Sequence, residues 1–243
     1  ALGVRMLGAN GKPAPESRRG LPSPMVAFYK MMGLCSRFPQ HRSFGHYYMG
    51  YLPWDKPAKI EVVSGAFYMI RREALLKVGL LDEDFFMYGE DIDLSYRILK
   101  GGYQNYYLPV DILHYKGEST QKSSFRYVHV FYEAMLIFFR KHYSGMSHLL
   151  SIPIKFAIYA RASVAFTQMM TARIRKSLGF FSPSHVDLSN QVLFDADEMS
   201  YEEILHQLAQ RSDENIKLAT YTKDIGKVIT DREVMDKDEF GYL

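Results

Sequence analysis

The chain has 243 residues, of which 47% are hydrophobic and 23% charged, so it has globular composition and is not wholly disordered, collagen-like or coiled-coil. Its single cysteine, Cys35, excludes an intramolecular disulfide and a zinc finger built on cysteines. The net charge of +3 is unevenly spread: residues 1–60 carry +7, 61–120 carry −4, 121–185 carry +8 and 186–243 carry −8. Different segments are therefore expected to meet different partners.

The first 58 residues predict one strand and one short helix separated by loops. Leu2–Leu7 is an apolar strand candidate, and a loop rich in Gly, Pro and Arg follows it. Residues 25–34 predict a short helix, and residues 35–58 predict a surface loop rich in aromatic side chains. The chain begins with alanine and shows no signal peptide, so we expect it to be part of a longer protein.

Regular alternation of short strands and helices is predicted from residue 59 onward. Helices are expected over Arg72–Val78, ended by Gly79, and over Glu90–Lys100, ended by Gly101. The flanking strand candidates are residues 60–63, 103–108 and 111–115.

The second half of the chain predicts two long helices and a small mixed tail. Phe125–His142 is apolar on more than one face, which is typical of a helix buried on more than one side. Residues 152–178 form a second helix candidate with basic residues set among apolar ones. In the tail, residues 192–194 and 216–221 predict strands, and Ser200 with Glu203 forms a capping box that opens a helix through residue 209.

Five blocks between residues 62 and 120 carry the functional signal. They are Val63-Ser64-Gly65-Ala66-Phe67, Ile70-Arg71-Arg72-Glu73, the run from Val78 to Phe86, Gly89-Glu90-Asp91-Ile92-Asp93-Leu94 with Arg97, and His114 with Gly117, Glu118 and Ser119. In this order and spacing the chain resembles the family-two glycosyltransferases of the GT-A fold, especially the bacterial rhamnosyltransferase-like branch. The Gly11 to Arg19 loop is similar to the same family's middle region, so the resemblance covers residues 1 to about 145.

The resemblance implies that Asp91 is the catalytic base, with Glu90 supporting the fold or the acceptor site. Glycosyl transfer needs a base that takes the proton from an acceptor hydroxyl as that hydroxyl attacks the anomeric carbon. A carboxylate in the first turn of a helix suits the positive end of the helix dipole. The spacing by itself is more typical of helix capping at Asp91, because acidic first turns are common, and only the resemblance favours the base. Asp93 and Arg97, four residues apart, are expected to pair as part of the scaffold.

The resemblance also implies a divalent metal, Mn²⁺ or Mg²⁺, with His114 as a ligand beside the donor diphosphate. Imidazole suits Mn²⁺ better than Mg²⁺, which prefers oxygen ligands. Lys116 and Ser119, in the turn after His114, are candidate phosphate contacts. A packed histidine and ordinary solvated turn residues are the structural alternatives.

Two further segments are candidates for substrate binding. Ser64, Gly65 and Ala66 are small enough to let the backbone approach a sugar or a diphosphate, the alternative being a β-bulge. Trp54 and Asp55 are candidates for stacking on a sugar and binding it, although a lone loop aromatic more often packs against the protein.

The fold class expected from the resemblance is α/β, the C-terminal portion of a GT-A domain with a Rossmann-like mixed sheet, then long helices and a small α/β tail. The expected domains are 1–120, the acceptor side of the catalytic domain; 121–185, a basic helical segment; and 186–243, an acidic strand–helix–strand unit. No Asp-x-Asp motif stands where the family has its metal motif, so we expect the nucleotide-binding half, and with it the pocket for the nucleotide-sugar donor, to lie upstream.

The expected function is inverting transfer of a sugar to a cell-envelope glycan or lipid-linked acceptor, in the cytoplasm at the inner face of the cytoplasmic membrane. Residues 152–178 are interrupted by Lys155 and Arg161, so they predict binding on a membrane surface rather than a span, with burial against the catalytic domain as the alternative. A non-catalytic membrane-surface or assembly module is the competing function. No nucleic-acid partner is expected, because no recognition motif accompanies the basic charge.

Overall fold

The computed structural model describes residues 1–115, 125–143, 191–214, 216–231 and 233–240, together with positions 163, 167, 170, 171, 174 and 177. Within these residues the chain is a mixture of helices and strands, which confirms the expected α/β class. The strands are β1 Leu2–Leu7, β2 Ala58–Ile60, β3 Asn105–Leu113, β4 Gln191–Asp195, β5 Lys217–Thr222, β6 Lys227–Ile229 and β7 Val234–Asp236. The α-helices are α1 Pro24–Met31, α2 Leu34–Arg37, α3 Arg72–Val78, α4 Glu90–Lys100, α5 Phe125–His142, α6 Tyr201–Gln210 and α7 Lys237–Phe240.

The first sheet is three-stranded, in the order β1-β3-β2, and it is mixed. Strands β2 and β3 are antiparallel, with Ile60 opposite Asn105. Strands β1 and β3 run parallel, because Tyr106 N donates to Ala1 O at 2.9 Å and His114 N donates to Leu7 O at 2.8 Å. The two strands predicted over 103–108 and 111–115 are one continuous strand, β3, that passes through Pro109.

The chain divides into two compact units, each assembled from separated stretches of sequence. The first unit comprises residues 1–3, 15–108 and 119–183, and the second comprises residues 4–14, 109–118 and 184–243. The segments expected from the sequence are contiguous stretches, whereas the second unit combines the acidic tail with two short stretches from the first half of the chain.

The first unit has an aromatic core between α4 and α5. Phe138 and Phe139 are adjacent in sequence and point about 100° apart around the helix, yet each is only 2% exposed. Helix α5 is therefore buried on more than one side, as its sequence predicts. This core contains Ala27, Val62, Phe85, Ile92, Ala134, Phe138 and Phe139.

The strand predicted over residues 60–63 is shorter in the structure. Strand β2 ends at Ile60, and Val62 continues as an isolated antiparallel bridge to Arg19. Ile60, Val62 and Val63 are all at most 3% exposed. This segment is therefore a buried support that leads directly into the Ser64-Gly65-Ala66 turn.

The second unit contains a four-stranded sheet in the order β4-β5-β6-β7. Strands β4 and β5 are parallel and are joined through α6, whose capping box is formed by Ser200 and Glu203 as predicted. Ile204 and Leu208 of α6 are at most 1% exposed and cover the sheet. The predicted strand–helix–strand is thus present, and β6 and β7 extend it with strands of three residues each, too short to show an alternating pattern.

The predicted helix over residues 152–178 lies for the most part outside the described residues. The described positions within it, 163, 167, 170, 171, 174 and 177, are helical and exposed. Among the described residues, no helix combines the length and apolar character needed to cross a bilayer.

Candidate active site

The candidate site is built on the first turn of α4. Gly89 precedes the helix with φ 91°, and a Cβ there would lie 2.9 Å from the ring of Phe85, so the position requires glycine. Glu90, Asp91 and Asp93 follow in the first turn, where the unpaired backbone N–H groups favour negative charge. The helix dipole therefore favours the three carboxylates in the first turn of α4, and Gly89 permits the backbone conformation that starts the helix.

Asp91 is held by one of its two carboxylate oxygens. Arg19 donates from Nη2 to Oδ2 of Asp91 in an ion pair whose side chains are 11% and 13% exposed. The backbone N–H of Gly65 donates to the same oxygen at 3.0 Å. Within the described residues no hydrogen bond engages Oδ1. One oxygen is therefore fixed and the other is available to accept a proton.

The Ser64-Gly65-Ala66 turn lies directly against the acidic pair. Phe67 N donates to Ser64 O at 3.2 Å and closes the turn. A Cβ built on Gly65 would lie 3.6 Å from Asp91 Cβ and 3.8 Å from Oε1 of Glu90, while Gly65 and Ala66 are exposed. The structure thus brings together five residues that the sequence singled out: Ser64, Gly65, Ala66, Glu90 and Asp91.

Glu90 has an electrostatic environment that favours its neutral form. Its Oε2 is buried without a hydrogen-bond partner among the described residues. Burial raises the pKa of Glu90, and the charge of the adjacent Asp91 raises it further. A carboxyl group biased towards protonation therefore stands beside the carboxylate that Arg19 and Gly65 hold.

Trp54 packs against the protein. The guanidinium of Arg18, a residue only 2% exposed, lies 3.5 Å from the centroid of the Trp54 ring. The ring also meets Tyr107 edge-on at 6.3 Å, and Tyr107 donates its hydroxyl to Trp54 O at 2.8 Å. Asp55 is exposed. No hydrogen bond or ring contact in the described part of the chain joins Trp54 or Asp55 to the acidic pair.

The expected metal ligand lies in the second unit. His114 follows β3 directly, and its backbone N–H donates to Leu7 O at 2.8 Å. Across the described ranges, no group of three or more His, Cys, Asp or Glu side chains is arranged to hold a metal ion. The described residues therefore do not fit a complete metal site. Lys116 and Ser119, the candidate phosphate contacts, lie outside the described residues.

Arg19 is the site residue to which the sequence assigned no role. The pair Arg18-Arg19 stands out in a Gly- and Pro-rich loop, but Asp91 lies 72 residues further along, so no local spacing connects them. Burial opposes the charge of Arg19, but Asp91 together with Tyr47 and Glu16 outweighs that effect, so the pKa of Arg19 is raised above its ordinary value. A buried arginine beside an expected base is a signal that only spatial proximity reveals.

Comparison with known proteins places this geometry in a family context. A family model described as "Glycosyl transferase family group 2" matches residues 38–196, which include Gly65, Glu90 and Asp91. Two curated proteins, from two strains of Mycobacterium tuberculosis, are each 29% identical over 126 residues. Both are named N-acetylglucosaminyl-diphospho-decaprenol L-rhamnosyltransferase. The matched region is 51% of this chain and 39% of each relative. No solved structure matches the chain significantly.

Proposed function

The chain belongs to the glycosyl transferase family group 2, and from this premise we propose that it takes part in inverting transfer of a sugar from a nucleotide-sugar donor to a lipid-linked or cell-envelope glycan acceptor. The matched region covers 39% of each curated relative, and those relatives are named as rhamnosyltransferases acting on a decaprenol-linked sugar. An acceptor of that chemistry, a sugar on a polyprenyl diphosphate, is therefore the one proposed here.

The observation that supports this function is that only one of the two carboxylate oxygens of Asp91 is held by hydrogen bonds within the described residues. Arg19 and the Gly65 N–H hold Oδ2, which leaves Oδ1 to take the proton of an acceptor hydroxyl. As that proton leaves, the hydroxyl oxygen forms a bond to the anomeric carbon and the bond to the nucleoside diphosphate breaks. Attack from the face opposite the leaving group inverts the configuration at that carbon.

Glu90 and the small turn complete the acceptor side of the proposed site. Burial raises the pKa of Glu90 and so favours its neutral form, which can donate a hydrogen bond to a sugar hydroxyl beside Asp91 as well as accept one. Gly65 and Ala66 have little or no side chain, so an acceptor sugar can approach the backbone of this turn without obstruction. Both features sit within contact distance of the base.

A divalent metal and the donor site stay predictions from the sequence. The described residues do not form a complete metal site, so the proton transfer to Asp91 is proposed from the protein side chains alone. His114 is proposed only as one ligand of Mn²⁺ or Mg²⁺ at the donor diphosphate.

Binding to a membrane surface is the second part of the proposal. Residues 121–185 carry nine Lys or Arg and one acidic residue, which favours an anionic lipid surface such as the inner face of the cytoplasmic membrane. Flotation with liposomes tests this directly. Binding that does not depend on anionic lipid would contradict it.

The transfer function is tested with the full-length protein, a synthetic polyprenyl-diphosphate-linked N-acetylglucosamine and a panel of UDP-, GDP- and dTDP-sugars. We expect Asp91→Asn to lower turnover by roughly 10²–10⁴-fold. Asp224→Asn, a change at an exposed aspartate of the second unit, is the matched control. Near-normal turnover by Asp91→Asn would exclude Asp91 as the base. If wild type and both variants bind liposomes but transfer no sugar, the result would favour a non-catalytic module.

A further inference from the structure

We propose that Arg19 is the positioning residue for Asp91: it holds one carboxylate oxygen so that the other faces the acceptor. This role rests on the proposed function of Asp91 as the base. It assigns to Arg19 no contact with the substrate, since its guanidinium is directed at Asp91.

The backbone and the side chain of Arg19 are both held by hydrogen bonds. Its backbone carbonyl accepts hydrogen bonds from Glu61 N at 3.1 Å and from Val62 N at 2.9 Å. Its Nη2, which meets Asp91, also lies 3.4 Å from Val63 O. The side chain is 11% exposed, so water does not compete freely for the guanidinium.

The two donors to Oδ2 of Asp91 lie on two segments that are hydrogen-bonded to each other. Arg19 forms a β-bridge to Val62, and Gly65, whose N–H is the second donor, follows Val62 by three residues. The two hydrogen bonds to the carboxylate therefore come from connected parts of the backbone. A base that is fixed within a few tenths of an ångström contributes to rate through orientation as well as through proton transfer.

Arg19 is surrounded by acidic and phenolic groups near its ion pair with Asp91. The titratable groups that interact with Asp91 or Arg19 are Glu16, Tyr47, Tyr48, Tyr68 and Glu90. Burial raises the pKa of Tyr47, Tyr48 and Tyr68, so these phenols stay neutral. Among the described residues Arg19 is the cation that contacts Asp91, and the neighbouring Glu90 carries no positive charge that could replace it.

The experiment compares kcat and KM for full-length wild type, Arg19→Gln and Arg19→Lys. We expect Arg19→Gln to lower kcat by roughly 10–100-fold with little change in KM. Arg19→Lys keeps the cation and loses the planar fork, so it should recover part of the lost kcat. Arg211→Gln, which removes an arginine from an exposed ion pair with Glu214, is the control.

The outcomes separate this role from the assignment of the base. If Asp91→Asn keeps normal turnover, the base assignment itself is wrong. If Asp91→Asn is inactive and Arg19→Gln keeps the wild-type kcat, only the role of Arg19 is overturned. Melting temperatures identify loss of folding. Should Arg19→Gln not fold, Arg19→Lys decides: an unchanged kcat overturns the role, and a lowered kcat with an unchanged KM supports it.

Discussion

Nε2 of His142 lies 2.6 Å from Oδ1 of Asp93, so the end of α5 is tied to the first turn of α4. The other oxygen of Asp93 accepts a hydrogen bond from Arg97 Nε at 2.7 Å, which confirms the pair expected from their four-residue spacing. Arg97 also donates to Val78 O and Leu80 O, both at 2.7 Å, just where α3 ends. One buried carboxylate therefore links three helices that surround the loop leading to Glu90.

Replacing Asp93 by asparagine should be strongly destabilising. The Asp93 side chain is fully buried and meets Arg97, His142 and Lys141, so its loss leaves the mostly buried guanidinium of Arg97 without its carboxylate partner. We expect Asp93→Asn to lower the free energy of unfolding by about 3–5 kcal/mol in chemical denaturation. The control Glu214→Gln breaks the exposed pair with Arg211 and should cost about 1 kcal/mol or less. A similar small loss for both variants would contradict the scaffold role of Asp93.

His142 and His46 should contribute to stability with opposite pH dependence. Burial lowers the pKa of His142 in spite of Asp93, so its contribution is present above the ordinary histidine pKa and is lost as the pH falls. The hydrogen bond to Glu61 raises the pKa of His46, so its contribution is present at low pH and is lost as the pH rises.

The measurement is the free energy of unfolding of wild type, His142→Gln and His46→Gln between pH 8 and pH 5. The stability advantage of wild type over His142→Gln should shrink on acidification, and the advantage over His46→Gln should grow. Each tenfold change in proton affinity corresponds to about 1.4 kcal/mol. The two histidines serve as controls for each other, and slopes of the same sign would refute the assignment.

Glu90→Gln should stabilise the protein at neutral pH. Because burial raises the pKa of Glu90, the folded state favours the neutral carboxyl, and the ionised form costs stability once the pH exceeds the glutamate pKa of the unfolded chain. Glutamine is neutral at every pH, so the variant should be more stable than wild type at pH 7, and the gain should disappear below about pH 4. Thermal denaturation at the two pH values checks this, and a variant less stable than wild type at pH 7 would contradict it.

Trp54 should prove to be a packing residue for Arg18. Trp54→Ala removes the ring that lies on the buried guanidinium and should cost about 2 kcal/mol or more. Trp54→Tyr keeps an aromatic face and should recover most of that loss. Sugar binding by Trp54 would show a different pattern: an increased KM for donor or acceptor with unchanged stability.

Local signals in the sequence predicted the helices α3, α4 and α6, whereas the short helices α2 and α7 were not predicted. Gly79 ends α3 with φ 85°, and Ser200 with Glu203 forms the box that begins α6, because a cap acts within a few residues of its helix end. The Asp93–Arg97 pair was predictable for the same reason, because the two residues lie four positions apart on one helix. The resemblance carried by ordered blocks of residues identified the family, and it pointed to Glu90, Asp91 and the turn at Gly65.

Only the tertiary structure decided what holds that base and which candidates surround it. Arg19 reaches Asp91 across 72 positions, Arg18 lies on the face of Trp54, and the tail combines with residues 4–14 and 109–118 in one unit. Contacts between residues far apart in sequence depend on how buried surfaces pack together, and no residue spacing records that packing. The candidate base is thus identified from ordered blocks in the sequence, whereas the arginine that contacts it is brought there by the fold.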